Sequence, residues 1–249
     1  MIVLKSPQEI ERMRISSQMV AEILAILSAI AEPGITTKEL DSIAESESLK
    51  RGAKPAFKGY SGYLYSICSS VNNEVIHGLP SSRKLVTGDI LSIDFGILYD
   101  GFYGDAAITL PIGIIKDSAQ RLVNTTEDSL AIAIDHARPG NRLSDISHAV
   151  QKHVESRGYS VVRDFVGHGI GRKLHESPQI PNYGPAGKGI LLKPGMVFAI
   201  EPMINEGGYQ VQVLDDGWTT VTCDGRLSAH FEHTVAITSE GPDVLTKCN

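Results

Sequence analysis

Two aspartates stand where acids are costly. Asp94 and Asp105 lie in LSIDFGILYDGFYGDAAITL at 91–110, a stretch that otherwise has the bulk and low charge of buried sheet. An unpaired buried carboxylate costs several kcal/mol or takes up a proton instead. Asp100-Gly101 between them is a strong two-residue hairpin signal. A turn centred there sets Asp94 opposite Ala107 and Asp105 opposite Gly96, making the aspartates diagonal neighbours on one sheet face, roughly 7 Å apart at Cβ. They read either as a solvated or Lys/Arg-paired face of an edge hairpin, or as two ligands of a hard or borderline cation. No basic residue between Lys84 and Lys116 offers a local partner.

Further donors follow. In FVGHGIGRKLHESPQIPNY at 165–183, His168 is flanked by glycines and His175 comes seven residues later. That glycine density predicts a sharply turning loop presenting two imidazoles, and it favours function over the usual core or surface histidine. Glu232 lies in AHFEHTVAIT at 229–238, a strand pattern; Arg226 is near enough in sequence to be a plain ion-pair partner. Glu201 closes the apolar run LKPGMVFAIE at 192–201. Asp94, Asp105, His168, Glu201 and Glu232 together are too many ligands for one structural zinc and include no thiolate. They suit two divalent ions about 3.5–4 Å apart, with oxygen-rich donors pointing to manganese, iron or cobalt, and hence to hydrolysis.

The elements that must position these groups are punctuated twice in the same way. Ser6-Pro7-Gln8-Glu9 is a capping box opening a helix to about Ala31; Thr37 is expected to cap a second helix ending at Arg51-Gly52. A third helix starts near Asp117-Ser118 and stops before Pro139-Gly140, and a fourth runs from Ser144 to Arg157-Gly158. AEPG at 31–34 returns as ARPG at 137–140, RG at 51–52 as RG at 157–158, and LVTGDILSID at 85–94 as LKPGMVFAIE at 192–201. Three matches in order at nearly one offset argue for two related helix–helix–strand halves, about 6–115 and 116–249, within a single domain 1–249. The repeat sets Glu201 where the first half has Asp94.

A net charge of −6 argues against a large nucleic-acid surface. Cys68, Cys223 and Cys248 have no CxxC spacing, which suggests a reducing compartment without a disulfide framework. No run is expected to approach a membrane span, and the start has no secretory pattern.

The chain resembles the type I methionine aminopeptidases, in their short bacterial form, from about Ser6 to the C-terminus. The motif F-x-G-H-G-I-G-x3-H-x4-I-x-N-Y and the order Asp94, Asp105, His168, Glu201, Glu232 carry the resemblance. It implies an α+β pita-bread fold, with pseudo-twofold halves around a curved, mostly antiparallel sheet. It also implies two divalent ions (Mn, Fe, Co or Zn) and removal of initiator methionine before a small second residue. By the same resemblance Asp94 chelates one ion, Asp105 and Glu232 bridge both, and His168 and Glu201 complete the second ion's shell. Glu201 also moves the proton of the attacking water. His77 contacts substrate near the scissile peptide, and His175 steadies the tetrahedral intermediate. Tyr60, Tyr63, Cys68 and Trp218 are expected in the methionine pocket. Two positions depart from the family pattern: Asn73, near a monovalent-ion site, and His230, expected to alter hydrogen bonding around Glu232. Other readings are a proline-directed aminopeptidase or prolidase of the same fold, or a non-catalytic pita-bread module. The expected setting is a cytoplasmic monomer acting on nascent chains, with the ribosome as candidate partner and neither membrane nor nucleic acid bound.

Overall fold

The computed structural model describes residues 2–247, so Cys248 lies outside the described residues. In chain order the elements are α1 (Pro7–Ile30), α2 (Thr37–Lys50), β1 (Lys54–Pro55), β2 (Ile67–Val71), β3 (Glu74–Ile76), β4 (Ile90–Tyr99), β5 (Phe102–Pro111), α3 (Asp117–His136) and α4 (Leu143–Glu155). There follow β6 (Ser160–Val161), β7 (Gly167–Gly169), β8 (Glu176–Ile180), β9 (Val197–Ile200), β10 (Met203–Asn205), β11 (Val211–Val213), β12 (Thr220–Thr222), β13 (Ser228–His230), β14 (Glu232–Thr238) and β15 (Gly241–Val244).

Local chemistry sets the helix starts. Ser6 Oγ accepts from Glu9 N while the Glu9 carboxylate accepts from Ser6 N, which closes the capping box of α1. For α2 the cap is Thr36, not Thr37. Thr36 Oγ1 accepts from Glu39 N, and Glu39 answers from Thr36 N. Glu39 stands three residues after Thr36, so the box selects that threonine, and the Thr37 hydroxyl instead accepts from Ser81 N. α1 does meet the length and composition of a membrane span, with a mean hydropathy of 1.4, contrary to the sequence expectation. Its apolar residues are spent inside the protein: Val20, Ile23, Leu24 and Leu27 pack with Leu91, Ile93 and Phe95 of β4.

The main sheet has nine strands, ordered β1-β4-β5-β14-β9-β7-β8 with β2 added on β4 and β15 on β14, and every pair is antiparallel. α1 and α2 cover the β4–β5 half through one core, and α3 and α4 cover the β9–β14 half through another. Turn hydrogen bonds recur in both halves. Gly34 N donates to Leu85 O and Gly140 N to Leu192 O; Gly88 N donates to Ile112 O and Gly195 N to Ile237 O. The isolated bridges Thr36–Lys84 and Arg142–Leu191 match in the same way. The central strands β5 and β14 lie side by side, with Glu232 opposite Ala107.

Candidate metal centre and substrate cavity

Strand alternation aims the acids. Leu91, Ile93, Phe95 and Ile97 of β4 enter the helix-covered core, so Asp94 points to the other face. The β4–β5 register pairs Asp94 with Ala107 and Gly96 with Asp105, as the Asp100-Gly101 turn requires. Both turn residues take positive φ, 48° and 77°, which the type I′ geometry demands. Gly96 leaves the room: a Cβ there would stand 3.0 Å from Asp105 Oδ1. Glu232 begins β14 beside β5, and Glu201 directly follows β9. All four carboxylates and His168 line one cavity of about 560 Å³.

Ligand atoms of Asp105, His168 and Glu232 lie within 4.8 Å of one another. His168 Nε2 is 3.4 Å from Glu201 Oε1, and His168 Nδ1 is bonded to Gly169 O at 2.9 Å, leaving Nε2 as the free donor atom. Asp94 Oδ1, Asp105 Oδ1 and Glu232 Oε1 are buried without a hydrogen-bond partner among the described residues. Among the described residues Glu232 has no basic partner either; the backbone N–H of Arg226 donates to Asp224, and Glu232 itself is 2% exposed. The ion-pair reading from sequence does not apply.

The electrostatics follow from this crowding. Burial raises the pKa of Asp94 to about 7. Burial and the neighbouring Asp94 charge push Asp105 well up, and burial with the charges of Asp94 and Asp105 does the same to Glu201. Glu232 is raised by burial and then by Asp105, Glu201 and Asp94. Burial holds His168 neutral, with its pKa lowered to about 3. Two like charges 4 Å apart repel by about 4 kcal/mol at the effective dielectric of protein sites. A hydrogen bond returns only about 1 kcal/mol, so hydrogen bonding cannot hold four carboxylates ionised together. Divalent cations can, and the orphaned oxygens and neutral imidazole are the donors such ions take.

The glycines around His168 serve another purpose than the one read from sequence. His168 is on a short strand, β7, and neither Gly167 nor Gly169 has positive φ. A Cβ at Gly167 would stand 2.5 Å from Ala199 O, and one at Gly169 2.4 Å from Ser177 O. Close strand approach, not a sharp turn, requires glycine here. The bulge between His168 and Gly169 re-aims the imidazole.

His175 stands at the end of the turn before β8, its ring 4.2 Å from that of His168, with Nδ1 hydrogen-bonded to Tyr60 Oη at 2.7 Å. Tyr60, 41% exposed, lines the cavity and contacts His175 at its edge. His77 has φ 58°, uncommon for a residue with a side chain, and its ring meets Phe165 at 5.6 Å and Trp218 at 6.3 Å. Tyr63 and Trp218 stand edge to face at 4.9 Å. Cys68 lies directly across β2–β4 from Asp94, and burial raises its thiol pKa, keeping it an inert apolar wall. All of these line the cavity. Sequence reasoning did not assign Phe57, Phe165 and Gln179, which line it too. Phe165 was within reach, three residues before His168 in the motif.

The two departures sit differently. Asn73 offers its carbonyl to Thr222 N at 2.9 Å. His230 is buried, joined through its backbone to the Thr109 hydroxyl, with Nε2 unpartnered; no hydrogen bond joins it to Glu232 among the described residues.

Comparison with known proteins agrees with this geometry. Residues 11–239 match metallopeptidase family M24. Methionine aminopeptidase 1 of Bacillus subtilis is 54% identical over 247 residues, 99% of this chain and 100% of that protein. The crystal structure of methionine aminopeptidase from Thermotoga maritima superposes with a TM-score of 0.97 at 49% identity, covering 99% of this chain and 100% of that one. The prolidase of Pyrococcus horikoshii shares the fold, with a TM-score of 0.81 at 22% identity, and this chain spans 64% of its length. The chain is a metal-dependent hydrolase with the pita-bread fold, and it belongs to metallopeptidase family M24, among the methionine aminopeptidases.

Proposed function

We propose that this protein removes the N-terminal methionine from nascent proteins and peptides by hydrolysis assisted by two divalent ions. The observation that carries the reading is the convergence of four carboxylates and a neutral His168 on a cavity walled by Tyr63, Trp218 and two further histidines. When bound, the ions would acidify a water and polarise the scissile carbonyl. Asp94, Asp105, His168, Glu201 and Glu232 are assigned to hold them. Manganese, iron, cobalt and zinc all fit borderline O/N donors, so supply in the cell selects among them.

The chain's own groups do the rest. Glu201, which lines the cavity 3.4 Å from His168 Nε2, takes the proton of the attacking water. His175, held by Tyr60, is placed to donate to the developing oxyanion, and His77 to contact the peptide beside it. Burial lowers the pKa of both, that of His77 to about 4, and each can donate from one ring nitrogen. The edge-to-face rings of Tyr63 and Trp218 with Cys68 form a slot suited to a thioether. A small second residue is inferred from the resemblance to the methionine aminopeptidases.

The whole chain 1–249 acts as one catalytic unit of two halves. We infer a monomer acting on chains leaving the ribosome in the cytoplasm; the free Cys68 and Cys223 support the reducing compartment alone. Metal-stripped protein, restored with each ion in turn, is to be assayed on Met-Ala and Ala-Pro peptides. Cleavage of the first alone is expected. Cleavage of the second would favour the prolidase reading, and turnover of neither the non-catalytic one.

A further inference from the structure

Lys5 is 7% exposed, rare for a lysine without a task. Its Nζ meets Glu176 Oε2 at 2.5 Å and also donates to Val3 O. The other oxygen of Glu176 accepts from Lys173 N at 3.2 Å, so both oxygens are occupied. The fit is close: a Cβ on Gly171 would stand 2.4 Å from Lys5 Cε and 2.8 Å from Glu176 Oε1. Lys5 is itself anchored, its N–H donating to Gly195 O at 2.7 Å in the turn that leads into β9.

Glu176 is the residue after His175. The His175 side chain opens onto the cavity, its ring against those of His168 and Tyr60. Its position depends on Tyr60 at the ring and on the backbone at either side, buried Leu174 before it and the Lys5–Glu176 pair after it. We propose that Lys5 is a positioning residue for the reaction, acting through Glu176 to set the backbone of His175. Its second effect is electrostatic: Glu176 lines the cavity, and Lys5 balances the charge of that carboxylate. Breaking one partner of a buried pair is costly because the other charge is stranded.

This rests on the role given above to His175, and the test separates the two. Lys5→Met and Glu176→Gln are each made in the parent enzyme and in a His175→Ala background, and kcat, KM and bound metal are measured on a Met-Ala peptide. The expected result is an about tenfold fall in kcat in the parent, with KM and metal content little changed, and less than about twofold further loss in the His175→Ala background, because residues acting as a unit are not additive. Equal losses in both backgrounds, a loss confined to metal content, or no loss at all would overturn the proposal. Full activity of His175→Ala alone would instead overturn the role of His175. Glu176→Gln leaves Lys5 in place, so the test stands even where Lys5→Met folds poorly.

Discussion

His168 Nε2 stands 3.4 Å from Glu201 Oε1, yet the two are not an ion pair. Burial keeps the imidazole neutral, with a pKa of about 3, while burial and then the crowded acids keep Glu201 high. A neutral donor nitrogen beside a carboxylate oxygen is an arrangement that a shared cation completes. Asp105→Ala and His168→Ala are expected to abolish metal-restored turnover, with bound metal falling in proportion. His77→Ala and His175→Ala should slow turnover while metal content stays near that of the parent. Equal metal loss in all four, read by elemental analysis, would refute this division of labour.

The acids also make the metal-free protein sensitive to alkali. A carboxylate whose folded pKa is raised stabilises the fold most below its unfolded value, and that stability is lost as pH rises through the folded pKa. For Asp94 the window runs from the ordinary 3.8 to about 7, and the other three are raised in the same direction. The buried histidines work oppositely, but only below their ordinary 6.5, since His168 and His230 are lowered to about 3. Above pH 6.5 the acids therefore act alone. The Tm of metal-stripped protein should fall from pH 6.5 upward, and saturating divalent ion should flatten the curve in thermal scans.

Tyr60 holds His175 by one hydrogen bond. Tyr60→Phe keeps the ring and removes the hydroxyl. A net bond of about 1 kcal/mol predicts roughly a fivefold fall in kcat. Bound metal should not change, and steady-state kinetics beside metal analysis check both.

At Gly104 α1 comes close to β5: a Cβ there would stand 2.7 Å from Ser17 Cα and 2.8 Å from Ser17 N. Both are backbone atoms of a helix packed along its length, so they cannot yield cheaply. Gly104→Ala should destabilise the fold by about 1–3 kcal/mol, the usual range for overpacking. Urea unfolding of the metal-stripped form measures it, and an unchanged midpoint would contradict the packing.

The strand pairing around the first two acids was legible because hairpin register is a local matter. Asp100-Gly101 alone sets Asp94 opposite Ala107. Local rules misled where two candidates stood side by side: Thr36, not Thr37, caps α2, because the glutamate three residues on decides. They misled again at His168, where glycine serves backbones that meet from distant parts of the chain, Ala199 and Ser177.

From the chain alone came the hairpin, the helix boundaries within a residue or two, the recurring punctuation of two halves and, through motif resemblance, five candidate donors that line one cavity. All of these depend on neighbours a few residues apart or on repetition along the chain. Only the tertiary structure set β5 against β14, left three carboxylate oxygens unpartnered, joined Tyr60 to His175 and drew Lys5 onto Glu176. The physical reason is that burial and charge repulsion belong to the assembled space. A carboxylate's neighbours across a sheet, and the water it has lost, are written nowhere in its own segment.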